Sequence, residues 1–186
     1  METISNFIGS NLFWVQPKTF ERRFELRAEQ SILATLTFHS EFGTLATAEV
    51  DRVKWTYKRV GFLSPRVTVR EVGSEANLAV YQPRFWGDGT LSFALGATFH
   101  WKPVNFWATD WAFMDSTDKV LLAFKPGSEK SKLSDIFKTQ AALEIEPLAA
   151  SLAQLPLLAT LGWYLLILYQ EDAAATATTA STAALT

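Results

Sequence analysis

Apolar and polar side chains alternate through most of this chain, and only near its end do apolar residues become continuous. Side chains two apart share one face of a strand, so each alternating run predicts a strand with one face buried. Residues 11–16 (NLFWVQ) form a short apolar strand closed by Pro17. Over residues 19–27, Phe20, Arg22, Phe24 and Leu26 fall on one face, and Glu21, Arg23, Glu25 and Arg27 on the other. Residues 31–39 place Ile32, Ala34, Leu36 and Phe38 together, and a less regular strand follows the Gly43 turn. Residues 52–59 (RVKWTYKR) turn Val53, Trp55 and Tyr57 inward, and residues 66–72 do the same with Val67 and Val69. Between them, Gly61 and Pro65 break the chain. Residues 77–82 form a strand stopped by Pro83, and Asp88-Gly89 is a tight-turn signal. Residues 90–101 (TLSFALGATFHW) carry the longest alternation, with Leu91, Phe93, Leu95, Phe99 and Trp101 on one face. Residues 107–115, 119–124 and 139–146 complete the set; residues 127–132 read as a polar loop and 133–138 as a helical turn.

The exception is residues 155–169, LPLLATLGWYLLILY, which are apolar on every face of a helix. At about 1.5 Å per residue such a helix is short for a bilayer. Pro156 sits best in a first turn, which places the helix at about 156–170. A helix without a polar face must be covered all round, by protein or by lipid. A tail anchor is the lipid alternative; Gly162, the short span and the following Glu171-Asp172 pair, without Lys or Arg, argue against it. The first ten residues lack the basic and apolar segments of a secretory signal.

Ten to twelve short strands with turn punctuation predict an antiparallel barrel or sandwich. A barrel of that strand number is too wide to be filled by its own side chains. The apolar helix needs cover and the barrel needs filling, so the two requirements meet. We therefore expect a mainly β fold, a closed antiparallel barrel of about twelve strands around a buried C-terminal helix. A single domain would span residues 1–172, followed by a disordered Ala/Thr tail over 173–186.

Composition narrows the function more than it defines it. The net charge of −2 over 186 residues gives no electrostatic reason to expect nucleic acid. With no cysteine there are no disulfides or thiolate metal sites, and the lean is to a reducing cytoplasm. Seven Trp and fourteen Phe suit strands and a large core.

Several segments together resemble the tubby C-terminal-like superfamily, which includes tubby proteins, phospholipid scramblases and the plant LURP-one-related proteins. They are Trp55-Thr56-Tyr57-Lys58-Arg59, Tyr81 with Gly89-x-Leu91-x-Phe93, and Phe99-x-Trp101 followed by Trp107 and Trp111-x-Phe113-x-Asp115. Leu161-Gly162-Trp163-Tyr164-Leu165 with Glu171-Asp172 closes the set. The resemblance runs from about residue 11 to 172 and implies a twelve-stranded barrel around a central helix. It also brings the basic phosphoinositide pocket of tubby proteins into view. The acidic calcium loop and Cys-rich cluster of scramblases have no counterpart here.

The sharpest functional candidate is a basic hairpin. Arg52, Lys54, Lys58, Arg66 and Arg70 take the outward parity of two consecutive strands, with Phe62 and Leu63 in their turn. A cationic face with an apolar tip suits an anionic lipid headgroup or membrane surface, at about 1 kcal/mol per basic residue. The plainer alternative is a solvated strand face neutralised by Glu49, Asp51 and Glu71. Trp55 and Tyr57 point inward, which removes the stacking platform that single-stranded nucleic acid needs. His39 and His100 read as ordinary strand histidines, and Asp110, Asp115 and Asp118 as turn residues without calcium-loop spacing. Gly87-Asp88-Gly89 is a hairpin turn, since no helix follows to hold a phosphate. Two expectations result: a non-enzymatic, monomeric, cofactor-free domain at the periphery of a membrane, or a structural or protein-interaction domain.

Overall fold

The structure, a computed structural model, describes residues 4–84, 87–127 and 138–183. Twelve strands run in order: β1 (Leu12–Gln16), β2 (Arg23–Ala28), β3 (Ser31–Phe38), β4 (Ala46–Val50), β5 (Val53–Val60), β6 (Arg66–Glu71), β7 (Ala79–Pro83), β8 (Gly89–Phe93), β9 (Thr98–Pro103), β10 (Trp111–Met114), β11 (Val120–Pro126) and β12 (Lys138–Ile145). Each pairs antiparallel with its neighbours in sequence, and β1 pairs with β12 to close the ring. The helix α1 (Leu155–Ala183) follows. The predicted fold class is therefore the observed one. Closure removes the unpaired edges that an open sheet would expose.

The helix lies inside the ring. Every residue from 157 to 168 is buried, although no face of the segment is polar. Its side chains meet all sides of the barrel. Trp163 stacks on Trp14 at 5.8 Å and meets Phe24 edge-on, and Tyr164 stacks on Phe38. Gly162 provides the closest approach, because a Cβ there would lie 2.3 Å from the Phe124 ring. Polar groups are placed sparingly. The Thr160 hydroxyl donates to the Pro156 carbonyl at 3.1 Å, so the Tyr57 hydroxyl donates to Thr160 at 2.6 Å. The Tyr164 hydroxyl donates to the Thr44 carbonyl at 2.6 Å. Burial raises the pKa of both tyrosines well above the usual phenol value. The indole N–H groups of Trp14 and Trp163 are buried without a hydrogen-bond partner among the described residues.

The two ends of the ring differ. At the end where α1 begins, a 3-10 turn (Ile4–Phe7) and a second one (Pro147–Ala149) cover the core, burying Ile4 and Ala149. This is the closed end. At the other end α1 leaves the barrel, and its residues 169–176 are exposed. Two ion pairs tie it to the rim there: Arg22 to Glu171, and Arg59 to Asp172 at 2.6 Å. This is the open end.

Several local expectations are corrected. Residues 90–101 are two strands, β8 and β9, joined by a turn over residues 94–97 that leaves Leu95 exposed. A four-residue turn has an even count, so parity survives it and the sequence alternates straight through. In β3, Ile32 is exposed and Leu33 buried, because the β2–β3 register slips between Leu26 and Arg27. One unpaired residue reverses the parity beyond it. Phe20, Val53 and Trp107, given strand positions by the alternation, are exposed beyond the buried part of the wall. The chain past Asp172 continues as helix to Ala183, where the sequence predicts disorder. Alanine has the highest helix propensity, and extension from an existing helix carries no nucleation cost. The loop and helical turn predicted over residues 127–138 lie, from Ser128 to Phe137, outside the described residues. No helix among the described residues is long and apolar enough to cross a membrane.

Candidate functional site

The basic hairpin is real, but its residues do not form one patch. In the β5–β6 register Thr56, Lys58 and Val60 face Arg70, Thr68 and Arg66 on the outer wall. Lys58 is thus diagonal to both arginines, within reach of long side chains. Arg52, however, lies in the β4–β5 turn at the closed end, while Phe62 tips the β5–β6 loop at the open end. Eight strand residues, about 26 Å at ~3.3 Å each, separate them. Lys54 is bonded to Glu49 at 3.0 Å and the Arg70 Nε donates to Asn77 at 2.8 Å. Of the five hairpin cations, Lys58 and Arg66 are the two toward Phe62 and Leu63 that have no ion pair among the described residues.

What gathers at the open end is aromatic. Every exposed aromatic side chain among the described residues belongs to it: Phe20, Phe42, Phe62, Phe106, Trp107 and the rim residue Tyr169. The first five stand on loops and are 81% to 98% exposed, as is Leu63. These loops connect β1–β2, β3–β4, β5–β6 and β9–β10, the connections that an up-and-down barrel must place at one end. Side-chain hydrogen bonds shape three of them, one through a residue of a neighbouring loop, and a glycine turns the fourth. Gln16 Nε2 donates to the Glu21 carbonyl at 2.9 Å, and Lys18 pairs with Glu21 at 2.7 Å, beneath Phe20. Arg22 donates to the carbonyls of Ser40, Glu41 and Gly43 and lies 3.9 Å over the Phe38 ring, which fixes the loop bearing Phe42. The Asn105 carboxamide bonds the backbone and hydroxyl of Thr109, shaping the loop that carries Phe106 and Trp107. Gly61, at φ +87°, turns the β5–β6 loop, where a Cβ would meet the Ser64 carbonyl at 2.6 Å.

The closed end offers the opposite surface. Its turns carry Glu29, Asp51, Glu75, Asp115 and Asp118 against Arg52 and Lys119, five acids and two bases, a net −3. Asp115 accepts from Thr117 and from the Lys119 amide, and Asp118 from Lys102 and His100, which hold both carboxyls below the usual range. His100, Lys102 and Asp118 do meet, at 3.1 and 2.6 Å, on the outer wall. Nothing nucleophilic is bonded to that imidazole among the described residues. His39 bonds the Thr47 hydroxyl at 2.7 Å.

Beside the emerging helix the rim opens into a cleft of about 1090 Å³. Leu63, Pro65, Val67, Tyr81, Leu165 and Leu168 give it an apolar wall, and Arg59, Arg84 and Asp172 stand among its polar residues. The Tyr81 hydroxyl donates to the Gly87 carbonyl at 2.8 Å, and burial raises its pKa. Among the described residues no set of three His, Asp or Glu is placed to hold a metal. No family model, curated protein or solved structure matches this chain.

Sequence reasoning singled out Phe62 but not its counterparts. The signal was there: Phe20, Phe42, Phe62, Phe85 and Phe106 recur at separations of 22, 20, 23 and 21 residues. That spacing is one hairpin, so such residues reach the same end of a meander. Phe85 itself lies outside the described residues.

Proposed function

We propose that this protein is a peripheral membrane-binding module that docks through the open end of its barrel. The observation that carries this reading is the set of aromatic side chains displayed on four loops at that end. Fully burying one such side chain is worth about 1.5–3 kcal/mol, so a fold that leaves them all in water has left that energy for a partner. Exposed apolar surface gathered at one place marks an interaction site. Aromatic side chains suit the headgroup level of a bilayer. Lys58 and Arg66 flank the β5–β6 tip and add attraction to anionic lipid, at about 1 kcal/mol each. The acidic closed end faces away in this orientation. The basic hairpin is thereby reduced to a contributor, with insertion of aromatics as the main source of affinity. The resemblance to tubby-like barrels, some of which bind lipid headgroups, points the same way.

Sedimentation with vesicles of phosphatidylcholine and phosphatidylserine tests it. The native protein should pellet with them, and replacing Phe20, Phe42, Phe62 and Trp107 together by Ser should lower affinity about 100-fold or more without changing Tm. A native protein that ignores such vesicles at low salt defeats the proposal and leaves the same surface to a protein partner.

A further inference from the structure

The cleft beside the emerging helix has a composition that docking onto a surface does not use. We infer that it is a binding site for a single long-chain carboxylate, a ligand of the fatty-acid class. Its apolar lining comes from Val67 and Tyr81 of the barrel wall and Leu165 and Leu168 of the helix, with Leu63 and Pro65 at the rim. Its volume of about 1090 Å³ is slightly above the range of ordinary ligand pockets. An elongated apolar chain fits such a lining. The head is specified by charge. Arg59 and Arg84 against Asp172 leave the lining at net +1, two cations and one carboxylate. Arg59 is already bonded to Asp172 at 2.6 Å. The Arg84 guanidinium has no ion pair among the described residues, and its planar fork matches a carboxylate with two parallel hydrogen bonds. A monoanionic head balances this site, whereas a phosphate monoester would leave excess negative charge. The site goes beyond the membrane reading, because a dissolved carboxylate needs no bilayer to reach it.

Calorimetric titration of the full chain with oleate below its critical micelle concentration tests the assignment, with oleyl alcohol as the uncharged control. One oleate should bind per chain, and oleyl alcohol at least tenfold more weakly. Arg84→Glu should weaken oleate binding tenfold or more. Ser64→Trp, at an exposed position on the cleft wall, should abolish it. Thermal melts of both variants confirm that they fold. The Phe62→Ser/Trp107→Ser protein, altered outside the cleft, should bind oleate as the native protein does, even if it has lost its hold on vesicles. Absence of oleate binding by the native chain, or binding that survives both cleft substitutions, overturns the inference. Vesicle binding without oleate binding would overturn it while leaving the membrane reading intact, and the reverse result would do the opposite.

Discussion

The two ends of the barrel are made from the same strands, yet the exposed aromatic side chains of the described residues all stand at one of them. At the closed end, two 3-10 turns bury Ile4 and Ala149 over the core, and the turns between strands are short and acidic. At the open end, loops shaped by hydrogen bonds within and between them hold Phe42, Phe62 and Phe106 out in water. If the open end binds as proposed, stability and recognition are separated along the barrel axis. Substitutions in the core and at the closed end should alter folding alone, and those on the loops of the open end binding alone.

The largest effect should come from the element both ends share. Leu161→Asp puts an unpaired charge in the middle of α1, where Leu161 is fully buried. An uncompensated buried charge costs about 3–5 kcal/mol, a large part of the total stability of a domain. Circular dichroism and urea titration should find the variant largely unfolded at both ends. A native-like barrel with only the helix released would show that the wall does not depend on its filling.

Next in size is the contrast within the basic hairpin. Lys58→Ala with Arg66→Ala removes the two unpaired cations beside Phe62, and at about 1 kcal/mol each vesicle affinity should fall roughly 10- to 30-fold at low salt. Lys54→Ala with Arg70→Ala removes two cations already engaged by Glu49 and Asn77, nearer the closed end. That pair should leave affinity within about twofold. Equal losses in the two variants would mean that the whole outer wall, rather than one end, meets the lipid.

Gly162→Ala should lower stability by up to about 2 kcal/mol while sparing binding. Alanine gains about 1 kcal/mol in helix propensity. Against this, its Cβ would sit within 2.5 Å of two atoms of the Phe124 ring, itself wedged against Trp101 at 5.5 Å. Overpacking of this kind costs typically about 1–3 kcal/mol, so crowding outweighs propensity. A stabilised variant in urea titration would mean that the ring can move aside.

Most of the wall was legible because burial of one strand face writes itself into the sequence as alternation, as in Trp55, Tyr57, Val67 and Val69. The helix was legible for the converse reason, since a segment without a polar face must be enclosed. The two strands within residues 90–101 were not, because a four-residue turn preserves parity. The bulge at Ile32 and Leu33 was hidden too, because a register slip has no signature in either residue. The open end was hidden for a different reason. Phe20 and Trp107 sit beside strands and join the alternation by accident, and an aromatic residue in a loop looks like an ordinary core residue. Only the strand count reveals that alternate loops share an end, and only then does the hairpin spacing of the phenylalanines acquire meaning. The charges of the basic hairpin were read correctly as outward, but parity gives the face of a strand and not the position along it.

The smallest effect concerns the acid range. Asp115, bonded by Thr117, and Asp118, bonded by Lys102, have folded-state pKa values below the ordinary 3.8. A group with a depressed folded pKa contributes stability above its unfolded pKa and loses it as pH falls through the folded value. The contribution of the closed-end turn should therefore be constant from pH 7 to about 5 and disappear only below about pH 4. Carboxyl resonances followed by NMR should show both midpoints under that of a free aspartate. In Lys102→Ala the Asp118 midpoint should move up, while Asp115, whose partners are Thr117 and the Lys119 amide, stays put. Both side chains lie at the surface, so the accompanying change in Tm should be small. Vesicle binding between pH 7 and 5 should not register either titration, since both carboxyls stay ionised throughout that interval. If Thr117→Ala, which removes a hydrogen bond to Asp115 within the closed-end turn, shifted vesicle affinity, the two ends would be coupled, and the division of labour along the barrel axis would fail.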